Sequence, residues 1–217
     1  AVISFLFPHY CLGCKTHGPI LCNKCLAIIP PPERDLPRGI YALFDYRDPL
    51  IKKSLWLLKY GNIPELASIV APQMYETILE IFSEEYALLE ANHIVIVPIP
   101  TSGDKTKKRG YNHAYKIARA VVEHQNKNSK QKWQLLDPLI KIKKTERQAM
   151  VKGRDKRIKN IRGAYCIKKE FLKNTILENS FFIIIDDITT TGASINEAIR
   201  ALKTLKPRHI FGITIAH

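Results

Sequence analysis

The stretch FFIIIDDITTTGAS, residues 181–194, constrains this chain more than any other. Five consecutive apolar residues, Phe181 to Ile185, read as a strand buried on both faces of a parallel sheet. Two acids follow at once, then Ile188, three threonines and Gly192. The pattern predicts a strand that ends at Ile185, a loop DDITTT and a helix beginning near Gly192. In open α/β sheets ligands gather at the carboxyl ends of strands, which is where this loop falls. Thr189, Thr190, Thr191 and Ser194 supply hydroxyl donors. Gly192 lets the backbone come close, and the helix that follows offers unpaired N–H groups and a positive dipole end. Those groups suit a phosphate. The carboxylates of Asp186 and Asp187 repel phosphate but accept hydrogen bonds from vicinal hydroxyls. A ribose bearing a 5′-phosphate satisfies both halves. A capped helix with incidental acids would account for a lone Thr-x-Gly, but it leaves the adjacent acids unexplained.

The remaining pattern supports the same architecture. HIVIVPIP (93–100) and HIFGITIAH (209–217) read as further strands, with YALFDYR (41–47) and the short AYCIKK (164–169) beside them. A helix is expected from Asp48 as N-cap through Pro49 to a stop at Gly61. Others are expected over 64–86, perturbed at Pro72, over the apolar positions 114–122, and over 195–205, ending near Pro207. Strands alternating with helices give an α/β fold with a parallel sheet.

Residues 11–25, CLGCKTHGPILCNKC, space Cys11, Cys14, Cys22 and Cys25 as C-x2-C-x7-C-x2-C. Each close pair aims two thiolates at one point, which suits a closed, tetrahedral, structural Zn²⁺ site. Two disulfides fit poorly with a chain read as cytosolic. His9 and His17 are read as flanking groups rather than ligands, and Cys166 as a buried strand residue. PPPERDLPRG (30–39) reads as a linker out of this knuckle. The domain expectation is a zinc module with its linker at 1–32 and one larger domain at 33–217. No apolar run is long enough for a transmembrane helix, and AVISFLFP at the start lacks the basic flank of a secretory signal. The expected location is the cytoplasm.

The formal net charge of +14 points to an anionic partner. Residues 141–162 alone hold ten Lys/Arg and two acids, hence +8. That stretch is expected to act as a flap over a bound phosphate ester or as a track for a single strand, with Trp133 and Tyr165 as stacking aromatics. The candidate flap or strand contacts are Lys107, Lys108, Arg109, Lys144, Arg147, Lys152, Arg154 and Arg157. Thr101, Ser102, Gly103, Asp104 and Lys105 follow the strand at 93–99, with Lys107, Lys108 and Arg109 close behind. Such a loop is apt for a pyrophosphate, with a solvated basic turn as the alternative.

IIIDDITTTGAS resembles the phosphoribosyl pyrophosphate (PRPP) signature of type I phosphoribosyltransferases. FPHYCLGC with LCNKC, LLKYGN, VPIPTSGDKTKKRGYNHA, KTERQAMVKGRDKRIKNIRGAY and that signature occur in an order similar to the ComF family of competence proteins (the ComFC type), across essentially the whole chain. His113 departs from the glutamine of the family's Arg-Gly-Phe-Asn-Gln box. The resemblance implies a type I phosphoribosyltransferase-like parallel sheet flanked by helices, behind a four-cysteine zinc module. It implies that Asp186 and Asp187 hold ribose hydroxyls, and that the run Ile188, Thr189, Thr190, Thr191, Gly192, Ala193 and Ser194 wraps the 5′-phosphate of PRPP. Mg²⁺ would accompany PRPP. The implied role is natural transformation: uptake or handling of incoming single-stranded DNA, beside a helicase-like partner that could bring the protein to the inner face of the membrane. An active phosphoribosyltransferase of unknown acceptor and a non-catalytic PRPP sensor are the alternatives.

Overall fold

The computed structural model describes residues 10–61, 63, 65–84, 93–101, 111–143, 145 and 153–217. A short helix α1 (Asn23–Ala27) closes the cysteine knuckle. There follow β1 (Ile40–Phe44), α2 (Pro49–Tyr60), α3 (Glu65–Glu84), β2 (Ile94–Pro98) and α4 (His113–Asn128). Next come the short strands β3 (Gln134–Leu135) and β4 (Leu139–Lys141), then α5 (Arg154–Ile161) and β5 (Tyr165–Ile167). The chain finishes with β6 (Phe181–Ile188), α6 (Ala193–Leu202) and β7 (His209–Ala216). Five strands make one parallel sheet in the order β1-β7-β6-β2-β3, while β4 and β5 pair antiparallel beside it.

The apolar run at 181–185 is the middle of this sheet. Phe181, Ile183 and Ile185 pack into a core layer with Ile78 and Phe82 of α3 and Ile117 of α4. Phe182 and Ile184 face the opposite layer, against Ile195, Ala198 and Leu202 of α6. A strand covered on both faces has to be apolar at every position, which is why it shows no alternation. The strand does not end at Ile185, however. β7 continues alongside, pairing Asp186 with Thr214 and Ile188 with Ala216, so the ladder carries both acids inside β6. The loop is correspondingly shorter, from Thr189 to Gly192.

Helix α2 forms as its sequence requires. Asp48 Oδ1 accepts from the N–H of Leu50 (2.8 Å) and Ile51 (3.0 Å), Pro49 opens the helix, and Gly61 ends it. Helix α3 is continuous from Glu65 to Glu84 with Pro72, where a perturbation is expected, inside it. Val70, Ala71 and Met74 are buried around it, and that packing offsets the missing donor. Two other expectations are corrected. Trp133 is 2% exposed and packs against Tyr75, and Tyr165 is 3% exposed, so neither offers a face to a nucleic-acid strand. Cys166 is half-buried, because the β4–β5 pair is covered only in part.

The knuckle shares the main core. Cys11, Leu21, Cys25, Leu26 and Ile29 belong to the same buried cluster as Leu43, Phe44, Ile51 and Leu55. The intervening segment is structural too: Pro37 accepts from Ile40 N–H and both residues pack beside Gly192.

Candidate functional site

Two sites are assembled. In the first, one Sγ from each of Cys11, Cys14, Cys22 and Cys25 lies within 4.8 Å of the others. A tetrahedron of 2.3 Å Zn–S bonds has S···S edges of about 3.8 Å, and the Cys14–Cys22 sulfurs stand 3.7 Å apart. All four cysteines are free of disulfides. A Cβ on Gly13 would come within 2.6 Å of Cys25 Sγ, so only glycine lets the chain pass so close to the sulfurs. Burial pushes the Cys11 thiol up, but hydrogen bonds from the backbone at Cys22, Cys14 and Gly13 outweigh it and bring it down to about 6. Burial and the neighbouring thiols push Cys25 up to about 12. The first negative charge in the cluster is therefore easy to form and the last is hard. Four sulfurs arranged in that way suit a cation such as Zn²⁺, whose charge removes the remaining protons. His17 is exposed and stands edge-on to Tyr10, outside the sulfur set; His9 lies outside the described residues.

The second site is a cavity of about 350 Å³ at the carboxyl ends of β2 and β6. Every residue from Asp186 to Ser194 lines it. Asp186 Oδ1 accepts from Asp187 N–H at 2.8 Å, and Asp187 Oδ2 meets Lys59 Nζ of α2 at 3.0 Å. Burial, then the charge of Asp187, pushes the Asp186 carboxyl up to about 7, against the lowering pull of that N–H and of Lys59 and Lys141. Tyr165 lies alongside. Burial first, then Asp186, holds its phenol protonated far above its usual range. This places an acid half ready to ionise next to a wall that can donate.

The loop beyond the acids is pinned at both ends. Thr189 N–H donates to Ala216 O (3.0 Å) at the end of β7, and Thr189 Oγ1 accepts from Gly192 N–H at 3.1 Å. Thr191 Oγ1 accepts from Ala193 N–H at 3.4 Å. The threonines thus cap the turn as well as bordering the cavity. Gly192 sits at φ +71°, and a Cβ there would lie 2.6 Å from Ile40 Cδ1. Ala193 and Ser194 open α6 at the cavity wall, and the first N–H groups of a helix have no partner within it.

The far walls come from distant parts of the chain. Asn112 donates to Ile99 O (2.9 Å) and accepts from Ala114 N–H, tying the end of β2 to the start of α4. His113 lines the cavity, buried edge-on against Tyr111. Glu197 of α6 accepts from Gly163 N–H at 2.8 Å and holds the turn before Tyr165. Lys141 of β4, whose Nζ donates to Thr145 Oγ1 at 2.7 Å, and Arg157 of α5 add two further cations to the lining.

Of the expected site residues, Thr101 and Arg157 line the cavity with the acid–threonine run. Ser102, Gly103, Asp104, Lys105, Lys107, Lys108, Arg109, Lys144, Arg147 and Lys152 lie outside the described residues, as does the side chain of Arg154. Sequence reasoning missed Lys59, Tyr46 and the inward role of Tyr165, and placed Lys141 in the basic stretch 141–162 without singling it out. For Lys59 a signal existed, the lysine of the LLKYGN segment.

Comparison with known proteins gives three findings. Residues 66–217 match the family described as phosphoribosyl transferase domain. The chain is similar to Competence protein ComFC of Bacillus subtilis (strain 168), 26% identical over 161 residues, which are 74% of this chain and 56% of that relative. The match thus spans little more than half the length of the relative. Two solved hypoxanthine-guanine phosphoribosyltransferases also match. That of L. donovani is 10% identical, with a TM-score of 0.37 over 70% of this chain and 67% of the other. That of Schistosoma mansoni, in complex with IMP, is 9% identical, with a TM-score of 0.35 over 70% and 66%.

Proposed function

The chain belongs to the phosphoribosyl transferase domain family, and from that premise we propose that its cavity binds PRPP and that the protein serves natural transformation by handling incoming single-stranded DNA. The observation that carries the ligand is the unbroken lining from Asp186 to Ser194, two carboxylates on a strand end followed by a glycine-turned helix start. Ribose hydroxyls donate to Asp186 and Asp187. The 5′-phosphate sits against the backbone and hydroxyls of Thr189 to Ser194. Thr101 stands at the start of the segment that would face the pyrophosphate. Mg²⁺, when bound with PRPP, would offset the charge of its phosphates. The similarity to a competence protein supports the DNA role, as does the +14 charge. A helicase-like partner, a cytoplasmic location and a boundary between 1–32 and 33–217 belong to the same proposal. Among the described residues no helix is long and apolar enough to cross a membrane.

Calorimetric titration of PRPP with Mg²⁺ tests the ligand. Wild type should bind, and Asp186→Ala/Asp187→Ala should lose at least a hundredfold in affinity. A well-folded wild type that takes up no heat would overturn the PRPP reading. Where binding is found, release of pyrophosphate on addition of an acceptor separates a substrate from a signal.

A further inference from the structure

Helix α2 lines the cavity through Lys59, and its solvent face carries two aromatic rings. Trp56 and Tyr60 stand one turn apart on that face, 56% and 55% exposed, with ring centroids 5.9 Å apart and tilted by 43°. Core packing does not require them, because the apolar stripe of the helix, Ile51, Leu55 and Leu58, is already buried. Lys52 and Lys53 are exposed one turn earlier, and residues 49–60 contain no acid. On other faces of the same helix Lys59 reaches Asp187 in the cavity and Leu58 O accepts from Tyr111 OH at 3.1 Å, so the helix that carries the aromatic pair also supplies part of the cavity wall.

We infer that the outer face of α2 is a stacking platform for single-stranded nucleic acid, with Trp56 and Tyr60 against unpaired bases and Lys52 and Lys53 on the backbone phosphates. The inference rests on the proposed handling of single-stranded DNA and supplies the aromatic surface that the buried Trp133 and Tyr165 do not. Two aromatic rings one helical turn apart present π-faces to successive bases, and every base has a face to offer whatever the sequence. A duplex keeps its bases stacked on each other and leaves the rings unused. A membrane surface calls for a continuous apolar face of Leu or Phe, and this face carries two aromatics among lysines.

The chain has two tryptophans, one buried and one exposed, so emission reads the platform directly. Oligothymidylate added to the full-length protein should quench wild-type emission. Trp56→Phe should bind the same labelled oligonucleotide with unchanged affinity by anisotropy, yet lose the quench, since phenylalanine still stacks. Trp56→Ala/Tyr60→Ala should bind tenfold or more weakly, and Lys52→Gln/Lys53→Gln should reduce the log–log salt slope by about 0.7 for each lysine removed. Wild type that binds while the aromatic double variant binds equally well would overturn the platform and leave the DNA reading standing. Wild type that binds no oligothymidylate would overturn both. Emission that shifts with protein concentration alone, or with anionic vesicles and not with the oligonucleotide, would assign the face to a second copy or to lipid and overturn the proposal.

Discussion

The cysteine knuckle and the acid–threonine cavity solve opposite problems. The knuckle gathers four like groups from fifteen consecutive residues, Cys11 to Cys25, and its geometry is local. The cavity joins β6, α2, α4, α5, α6, the end of β2 and the β4–β5 pair, and its longest contiguous run is Asp186 to Ser194. Charge is also handled differently. The thiols suit a cation such as Zn²⁺, whereas Asp187 meets Lys59 and Asp186 keeps its proton unusually long.

The largest effect that would separate the two is loss of metal. Structural zinc sites contribute apparent binding energies of about 10–16 kcal/mol, and Cys11 and Cys25 share the core with Leu43 and Phe44. Chelation, or Cys11→Ser, should therefore lower the midpoint of thermal unfolding for the whole chain, read by circular dichroism, with loss of zinc read by atomic absorption. A Cys11→Ser protein that keeps native zinc content and melting would erase the distinction.

Next in size is Asp186→Asn, where the sign should reverse. The carboxyl loses its proton near 4 in the unfolded chain but only near 7 when folded. The folded state binds the proton more tightly, so wild-type stability declines as pH rises from about 4 and levels off above about 7. The neutral amide lacks this decline. Melting followed from pH 5 to 8 should show wild type falling against a flatter variant, which becomes the more stable of the two at pH 8 by about 1 kcal/mol or more. The same substitution should weaken PRPP binding, since an amide accepts less strongly from hydroxyls. Equal slopes would mean that the carboxyl is ionised throughout.

Gly192→Ala comes third. The left-handed backbone and the contact with Ile40 together predict a loss of about 1–3 kcal/mol in denaturant unfolding, accompanied by weaker binding of inorganic phosphate. The smallest effect belongs to Lys59→Met. It removes the partner of Asp187 without touching the phosphate loop, and should change PRPP affinity by about tenfold or less at low salt. A larger change would make Lys59 a direct ligand contact.

The legibility of each region follows from how local its physics is. Cysteine spacing, the Asp48 cap and the apolar run at 181–185 depend on neighbours in the chain, so their types and positions state the outcome. The end of β6 depends on how far β7 runs beside it, and no residue within 181–188 records that. Trp133 and Tyr165 look like available aromatics until the packing of Tyr75 and α6 places them inside. Asn112 lies ahead of the apolar positions that predict α4, and only the structure shows its two bonds, from Ala114 N–H and to Ile99 O. Gly192 could be anticipated for a tight approach, but Pro37 and Ile40, the residues that enforce it, lie in what reads as a linker.

The position of β1 has a practical outcome. It is an outermost strand of the sheet and hydrogen-bonds along β7 from Ile40 to Phe44, yet it precedes the span 66–217 that matches the family. Trimming the chain to that span would strip the cover from β7 and present the unsatisfied backbone of IFGITIA as a template for any other strand. Such a fragment should aggregate during expression, however sound its catalytic-looking half. Fusions and truncations of this protein should therefore leave residues 37–61 in place, whatever is done to the cysteines before them.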